Sequence, residues 1–229
     1  MTVTMTATEA IRSRRSIRAF LDRPVPEALL REAVATASWA ASNSNLQPWL
    51  VRVVAGRRAR ELKARARERA TWPPQPDPPG FPIYPEPLVE PYAGRRFRCG
   101  ENQYGVRGIA RDDAEARMRY VYGNHQFFGA PAALFCFLDR SMGPSQWADC
   151  GAFIQCFMLA LHEAGVDSCA QISWQMIHRT VRAFFGLPEH WQLYCGVSVG
   201  YRDPADPINR IEPGRAPLSE FAEFWTDPD

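Results

Sequence analysis

The stretch WAASNSNLQPWLVRVVAG, residues 39–56, joins a helical pattern to a strand through a run of uncharged polar groups. Alanine-rich sequence leads into Ser42, Asn43, Ser44, Asn45 and Gln47, turns at Pro48 and Trp49, and continues as the apolar run LVRVVA, 50–55. That run reads as a strand, ended by Gly56. The amides and hydroxyls both donate and accept hydrogen bonds. Two readings fit them. Asn and Ser cap helices and make turns for local reasons. The same groups also suit a wall against a planar heterocycle with carbonyls and ring nitrogens, or against a chain of hydroxyls.

Outward from this junction the chain alternates helices with strands. Upstream, Leu30, Ala33, Val34 and Ala37 recur at three and four, which predicts a helix over 27–41, with Pro26 near its first turn. A shorter helix is predicted over 9–19, capped by Thr6 or Thr8 and broken by Pro24 and Pro26. Downstream, 57–70 is a charged helix. Residues 71–91 (TWPPQPDPPGFPIYPEPLVEP) hold too many prolines for a helix or a central strand, and form either a packed surface insertion or a mobile lid. Further elements are a helix over 112–124, a buried strand over 132–138 (AALFCFL), a long helix over 145–164, a helix over 174–185 and a strand over 193–201. The long helix is apolar on most faces, so it is central or lies at a subunit interface, and Gly165 suits its C-cap. Residues 202–229 are a proline-punctuated C-terminal extension. The pattern predicts one α+β domain over 1–229.

Composition narrows the function classes. A net charge of +2 supplies no global field for nucleic acid. The basic cluster at 57–69 is interrupted by Glu61 and Glu68 and reads as a solvated helix face. The opening MTVTMTATEA has no basic-then-apolar secretory pattern, and the longest apolar-rich segment, FIQCFMLAL (153–161), is too short to span a bilayer. Six cysteines form no C-x-x-C pair, so reduced thiols in a cytoplasmic protein are expected.

Familiar motifs fail on context. GVSVG (196–200) matches a nucleophile elbow, but YRDPADP follows where a helix must start, and the last histidine, His190, precedes the serine. The four histidines lack metal-site spacing, and neither a G-x-G-x-x-G after a strand nor a P-loop occurs.

A second polar stretch survives. In RSRRSIRAF (12–20), Arg14 and Arg18 are four apart and Arg15 and Arg18 three apart, so a helical turn can converge them. Guanidinium groups grip phosphate oxygens bidentately, and Ser16 adds a neutral donor; a solvated basic face is the plainer alternative.

RRSIRAF followed about thirty residues later by SNSNLQPW resembles the FMN-dependent nitroreductase family. GIARDD with NHQFFGAPAALF (108–135), WADCGAFIQCFMLALHEAGVDSCAQ (147–171) and INRIEPGRAPLSEF (208–221) are similar to its middle section, its central helix with the following flavin-facing loop, and its C-terminal arginine segment. The resemblance implies a central antiparallel sheet flanked by helices, in an intertwined homodimer with FMN at the interface. It implies that Arg14, Arg15, Ser16 and Arg18 hold the FMN phosphate and ribityl end, with Arg215 completing the phosphate site. It further implies that Ala41, Ser42, Asn43, Asn45 and Gln47 face the flavin of the other subunit, that Asn124 lies near the isoalloxazine edge, and that Gln171, Ile172 and Ser173 line the flavin plane with backbone N–H groups near N5. Where the family often has Pro-Ser-Gly this chain has Ala41-Ser42-Asn43, and Pro213 stands where a lysine sometimes precedes the C-terminal arginine. The implied activity is hydride transfer from NADH or NADPH to FMN and then, by a ping-pong mechanism, to a nitroaromatic, a quinone or a related small acceptor, with no catalytic side chain beyond the flavin. Dehalogenation, enone reduction, flavin cleavage and a non-catalytic flavin-binding role remain the alternatives.

Overall fold

The computed structural model describes residues 5–226. The outermost residues of the 1–229 domain reading, and the start of the N-terminus read as lacking a secretory pattern, lie outside the described residues. Strand β2 (Ala132–Asp139) is the centre of the fold. Its alternate side chains enter two apolar clusters. Ala132, Leu134, Cys136 and Leu138 pack with helices α2 (Glu27–Ala37) and α6 (Pro144–Glu163). Ala133, Phe135 and Phe137 pack with α3 (Gly56–Glu68) and α7 (His178–Phe184). Burial on both faces is why AALFCFL is an unbroken apolar run and not an alternating one. Each phenylalanine buried in this way contributes on the order of 1.5–3 kcal/mol.

The sheet is antiparallel in the order β1-β2-β4-β3, with β1 at Leu50–Ala55, β3 at Asp167–Gln171 and β4 at Trp191–Gly200. The α+β class with a helix-flanked antiparallel sheet agrees with the reading of the sequence. Gly165 ends α6 with φ +73°, as its C-cap reading requires.

Three expectations need correction. Helix α1 spans Ala7–Ser13, capped by Thr6 and Glu9 reciprocally, and does not run to Ala19. Beyond it the chain is extended: Ser16 bridges Ser168 in parallel, and the Ile17 N–H donates to the Ser168 carbonyl at 3.1 Å. The free edge of β3 offers the 14–20 segment hydrogen bonds that outweigh its helical spacing. Strand β3 stands where the resemblance implies a flavin-facing loop; DSCAQ has little β-branched or aromatic content to mark a strand. The helix expected over 174–185 is a 3-10 turn, Ile172–Ile177, followed by α7. Here the side chains of Trp174 and Gln175 are drawn onto the sheet. Trp174 is fully buried against Gly196, where a Cβ would stand 2.5 Å from its Cδ1, and Gln175 Nε2 donates to the Leu193 carbonyl at 2.5 Å.

Helix α4 (Tyr92–Val106) was not read from its glycine-punctuated sequence and buries none of its residues, whereas α5 (Ala114–Tyr122) falls within the helix expected over 112–124. The proline-rich 71–91 segment is a packed strap where it crosses the body. The Asp77 N–H donates to the Met176 carbonyl at 2.7 Å, and its buried carboxylate accepts the Arg179 N–H at 2.9 Å and Arg69 Nη2 at 3.0 Å. It thereby caps α7, whose own N-cap residue supplies no side-chain acceptor. Phe81 stacks edge-on against Trp147, with ring centroids 4.6 Å apart.

Candidate flavin site

The extended conformation changes how the basic N-terminal segment presents itself. In an extended chain alternate residues share a face, so Arg14, Ser16 and Arg18 align along one side of the 14–18 segment. Ile17 is buried on the other. Asn209 pins the segment: its Oδ1 accepts the Arg18 and Ala19 N–H groups at 2.9 and 3.2 Å, and its Nδ2 donates to the Ala19 carbonyl at 2.8 Å. Arg15 turns back, its Nη1 donating to the Arg12 carbonyl at 2.6 Å, and Arg18 Nη1 donates to the Ser16 carbonyl at 3.1 Å.

Arg14 differs from both. Its Nε and Nη1 are buried and have no hydrogen-bond partner. Burial pulls its guanidinium below the usual range, and repulsion from Arg215 and Arg15 adds to this, so the C-terminal arginine is brought into electrostatic reach of Arg14. A guanidinium remains protonated even so, and a buried cation without a partner is costly. Two neutral donors stand in the same state: the hydroxyls of Ser168 and Ser173 are buried and unpartnered.

The 171–173 stretch divides its labour. The Gln171 side chain does not line a ligand plane: its Oε1 accepts Ser198 Oγ at 2.5 Å and Trp174 Nε1 at 3.3 Å, and its Nε2 donates to the Asn124 carbonyl at 2.9 Å. Only its backbone is left to face a ligand. A long amide directed into the core serves the scaffold, and the backbone N–H groups that the resemblance places near N5 are left for the ligand. Ile172 packs, partly buried, against the cluster of α2 and α6. GVSVG finds its explanation here, since Gly196 admits Trp174 and Ser198 satisfies Gln171.

The 41–47 run is built otherwise. Ala41, Asn43, Ser44, Asn45 and Gln47 are exposed. Ser44, Asn45 and Gln47 take left-handed φ values of 50°, 57° and 48°. The run holds itself: the Gln47 N–H donates to Ser42 Oγ at 3.1 Å, and Gln47 Nε2 donates to Asn45 Oδ1 at 3.1 Å. Asp149 of α6 anchors it, both carboxylate oxygens accepting the Asn43 N–H at 3.2 Å. Its hydrogen bonds within the chain join it neither to 14–18 nor to 171–173.

Asp149, Asn209 and His125 bond to the candidate residues Asn43, Arg18 and Ser173, and no sequence pattern singled them out. Asp149 left a signal, a lone acid in an otherwise apolar stretch of helix, and such a group is buried only when it has a donor to accept. Among the described residues no group of His, Cys, Asp and Glu can hold a metal ion, and the cysteines described are free thiols, four of them buried. The donor set of one buried unpaired guanidinium, a second arginine nearby and two buried unpartnered hydroxyls fits a ligand with a phosphate and a neutral hydrogen-bonding ring system, as FMN has.

The Nitroreductase family matches residues 11–201 of the chain. Nitrobenzene nitroreductase of Ectopseudomonas oleovorans is 36% identical over 217 residues, covering 94% of this chain and 95% of its own. The crystal structure of the FMN and NADPH-dependent nitroreductase NfnB from Sphigopyxis sp. strain HMH superposes with a TM-score of 0.92 at 41% identity, over 97% of this chain and 100% of that one. The FMN-dependent nitroreductase NfnB from Mycobacterium smegmatis, solved with NADPH, superposes with a TM-score of 0.87 at 33% identity, over 96% and 98%. By sequence, by fold and by the chemistry of its site, this chain belongs to the nitroreductase family.

Proposed function

We propose that this protein is an FMN-dependent oxidoreductase that takes a hydride from NADPH or NADH and reduces nitroaromatic compounds, quinones or related acceptors, working as a homodimer with FMN at the subunit interface. The observation that carries this reading is Arg14, whose two buried, unpartnered nitrogens, Nε and Nη1, call for an anion. Arg14 and Arg215 hold the phosphate. Ser16 and Arg18, aligned with Arg14 along one strand edge, bind the ribityl end, and Arg15 supports them from the reverse side. The backbone of Gln171, Ile172 and Ser173 meets the ring, and Asn124, whose Nδ2 donates to the Val121 carbonyl at 2.8 Å, lies at the ring's edge. When bound, FMN supplies the hydride acceptance and donation that no side chain here can perform. The chain positions the ring, keeps water off its buried face and offers neutral donors to it.

The homodimer is supported by what a single chain leaves bare. Trp39 and Trp225 are 90% and 92% exposed, and Leu218, Phe221 and Phe224 extend the apolar surface of the tail. The exposed 41–47 run, self-bonded on its own chain, is the wall that Ala41, Ser42, Asn43, Asn45 and Gln47 present to the partner's flavin. NADPH is favoured as donor by the two solved relatives named above. No helix among the described residues is long and apolar enough to cross a membrane; a cytoplasmic enzyme is the proposed setting.

The test is a visible spectrum of purified protein with FMN, followed by anaerobic NADPH and then nitrobenzene. A flavin band that bleaches and then recovers is expected. A bound flavin that NADPH and NADH both leave oxidised turns the reading to a flavin-binding protein without turnover. Protein that takes up no FMN overturns it.

A further inference from the structure

Two irregular segments meet where the ring is proposed to lie, and neither is positioned by a regular backbone ladder. One is the 3-10 stretch Gly123–Gly129, with Phe127 and Phe128 at left-handed φ values of 57° and 52°; the other is Ile172–Ile177. Their placement depends on side chains. Gln171 Nε2 donates to the Asn124 carbonyl at 2.9 Å and lies 3.3 Å from its Oδ1. His125 Nε2 stands 3.0 Å from the Ser173 carbonyl. The two bonds run in opposite directions: Gln171, the last residue of β3, holds Asn124 of the first segment, and His125 of that segment holds Ser173 of the second.

Both anchors are buried, His125 at 1% and Gln171 at 2% exposure, and neither is free to turn. Gln171 Oε1 is occupied by Ser198 and Trp174, which fixes the sense of its amide. His125 is packed between Trp174 and Tyr122, with ring centroids 4.8 and 5.8 Å away. A carbonyl only accepts, so His125 carries its proton on Nε2, and its buried Nδ1 is a lone pair without a partner. Phenylalanine would suit this aromatic pocket with less desolvation, so the bond to Ser173 is what the imidazole adds.

We propose that His125 and Gln171 are positioning residues whose reciprocal bonds form a clamp, fixing Asn124 relative to the Ile172–Ser173 backbone and so setting the hydrogen bonds that the flavin ring receives. This rests on the flavin reading above. Displacements well under an ångström in such donors alter hydride transfer strongly.

The experiment compares wild type with His125→Phe, which keeps the ring and removes the donor, and His125→Gln, whose amide reaches about as far as Nε2. Three readouts are taken: amide hydrogen exchange at 172–173 in the flavin-free protein, the visible spectrum of bound FMN, and the rate of its bleaching at saturating NADPH. H125F is expected to speed exchange at 172–173 and to slow bleaching, each by about tenfold or more, to shift the flavin band while FMN remains bound, and to be largely rescued by H125Q. An H125F protein that melts earlier yet keeps wild-type exchange, spectrum and bleaching rate reduces His125 to core filling and overturns the clamp. Should H125F not fold, ¹⁵N spectra of wild-type histidines decide: an Nε2-protonated, exchange-protected His125 supports the clamp, and an Nδ1-protonated one overturns it. Wild type that binds no FMN defeats the flavin reading itself, and is recognised before any variant is made.

Discussion

The two walls of the proposed site are made by opposite means. The inner wall, 14–18 with Asn124 and 171–173, is held by the body of its own chain: Asn209 pins its strand, the clamp ties its turns, and a buried cation at Arg14 is left without a partner. The outer wall, 41–47, is exposed and self-bonded, with three left-handed residues, and is hydrogen-bonded to the body through Asp149. The inner wall therefore holds unsatisfied hydrogen-bonding capacity that only a ligand can use, while the outer wall is stable without one. Changes to the inner wall should alter stability and flavin binding together, and changes to the outer wall should alter binding alone.

The largest expected effect is at His125. Burial pushes its imidazole from 6.5 down to about 4, opposed only by the bond to Ser173. As pH falls from 6.5 towards 4, the unfolded chain gains a proton that the folded chain refuses, so stability is lost over that window. The loss amounts to about 3 kcal/mol. Urea unfolding of wild type and His125→Phe between pH 7 and about pH 4 checks this, with a flatter profile expected for the variant. An equal slope in both would detach the inner wall's stability from His125.

Arg14→Ala should weaken FMN binding by roughly tenfold to a hundredfold, the loss of a charge-assisted contact of about 1.5–3 kcal/mol. In the flavin-free protein the same change removes an unpaired buried cation, so the melting temperature should hold or rise while that of the FMN complex drops. A fall in both would mean that Arg14 has a structural partner and that the inner wall is complete without ligand.

Gly196→Val forces a side chain into Trp174 and should cost about 1–3 kcal/mol, read by chemical denaturation. FMN affinity should fall with it, because Trp174 adjoins Ser173. Asn43→Ala, on the outer wall, should leave unfolding free energy within about 0.5 kcal/mol of wild type and weaken FMN several-fold, by titration of flavin fluorescence. A stability loss as large as that at Gly196 would erase the distinction between the walls.

Much of this was legible in the sequence because it depends on local pattern. β1 and β2 and the long α6 with its Gly165 cap follow from periodicity, caps and residue type. The polar residues at 14–18 and 42–47 were legible from their chemistry, and residue type does not change on folding, whereas Asn124, 171–173 and Arg215 were placed only by the resemblance. Pairing partners, conformation and direction were not legible. RSRRSIRAF carries helical spacing, and only the open edge of β3 draws it straight and aligns Arg14 with Ser16 and Arg18. Nothing local tells where the Gln171 side chain goes, and only Ser198 and Trp174, 27 and 3 residues away in the chain, turn it inward. The proline-rich strap could be packed or mobile by composition, and Asp77, finding the start of α7 102 residues on, decides it. Local free-energy preferences are written along the chain, whereas the burial of one particular amide, imidazole or guanidinium is set by what the fold brings against it.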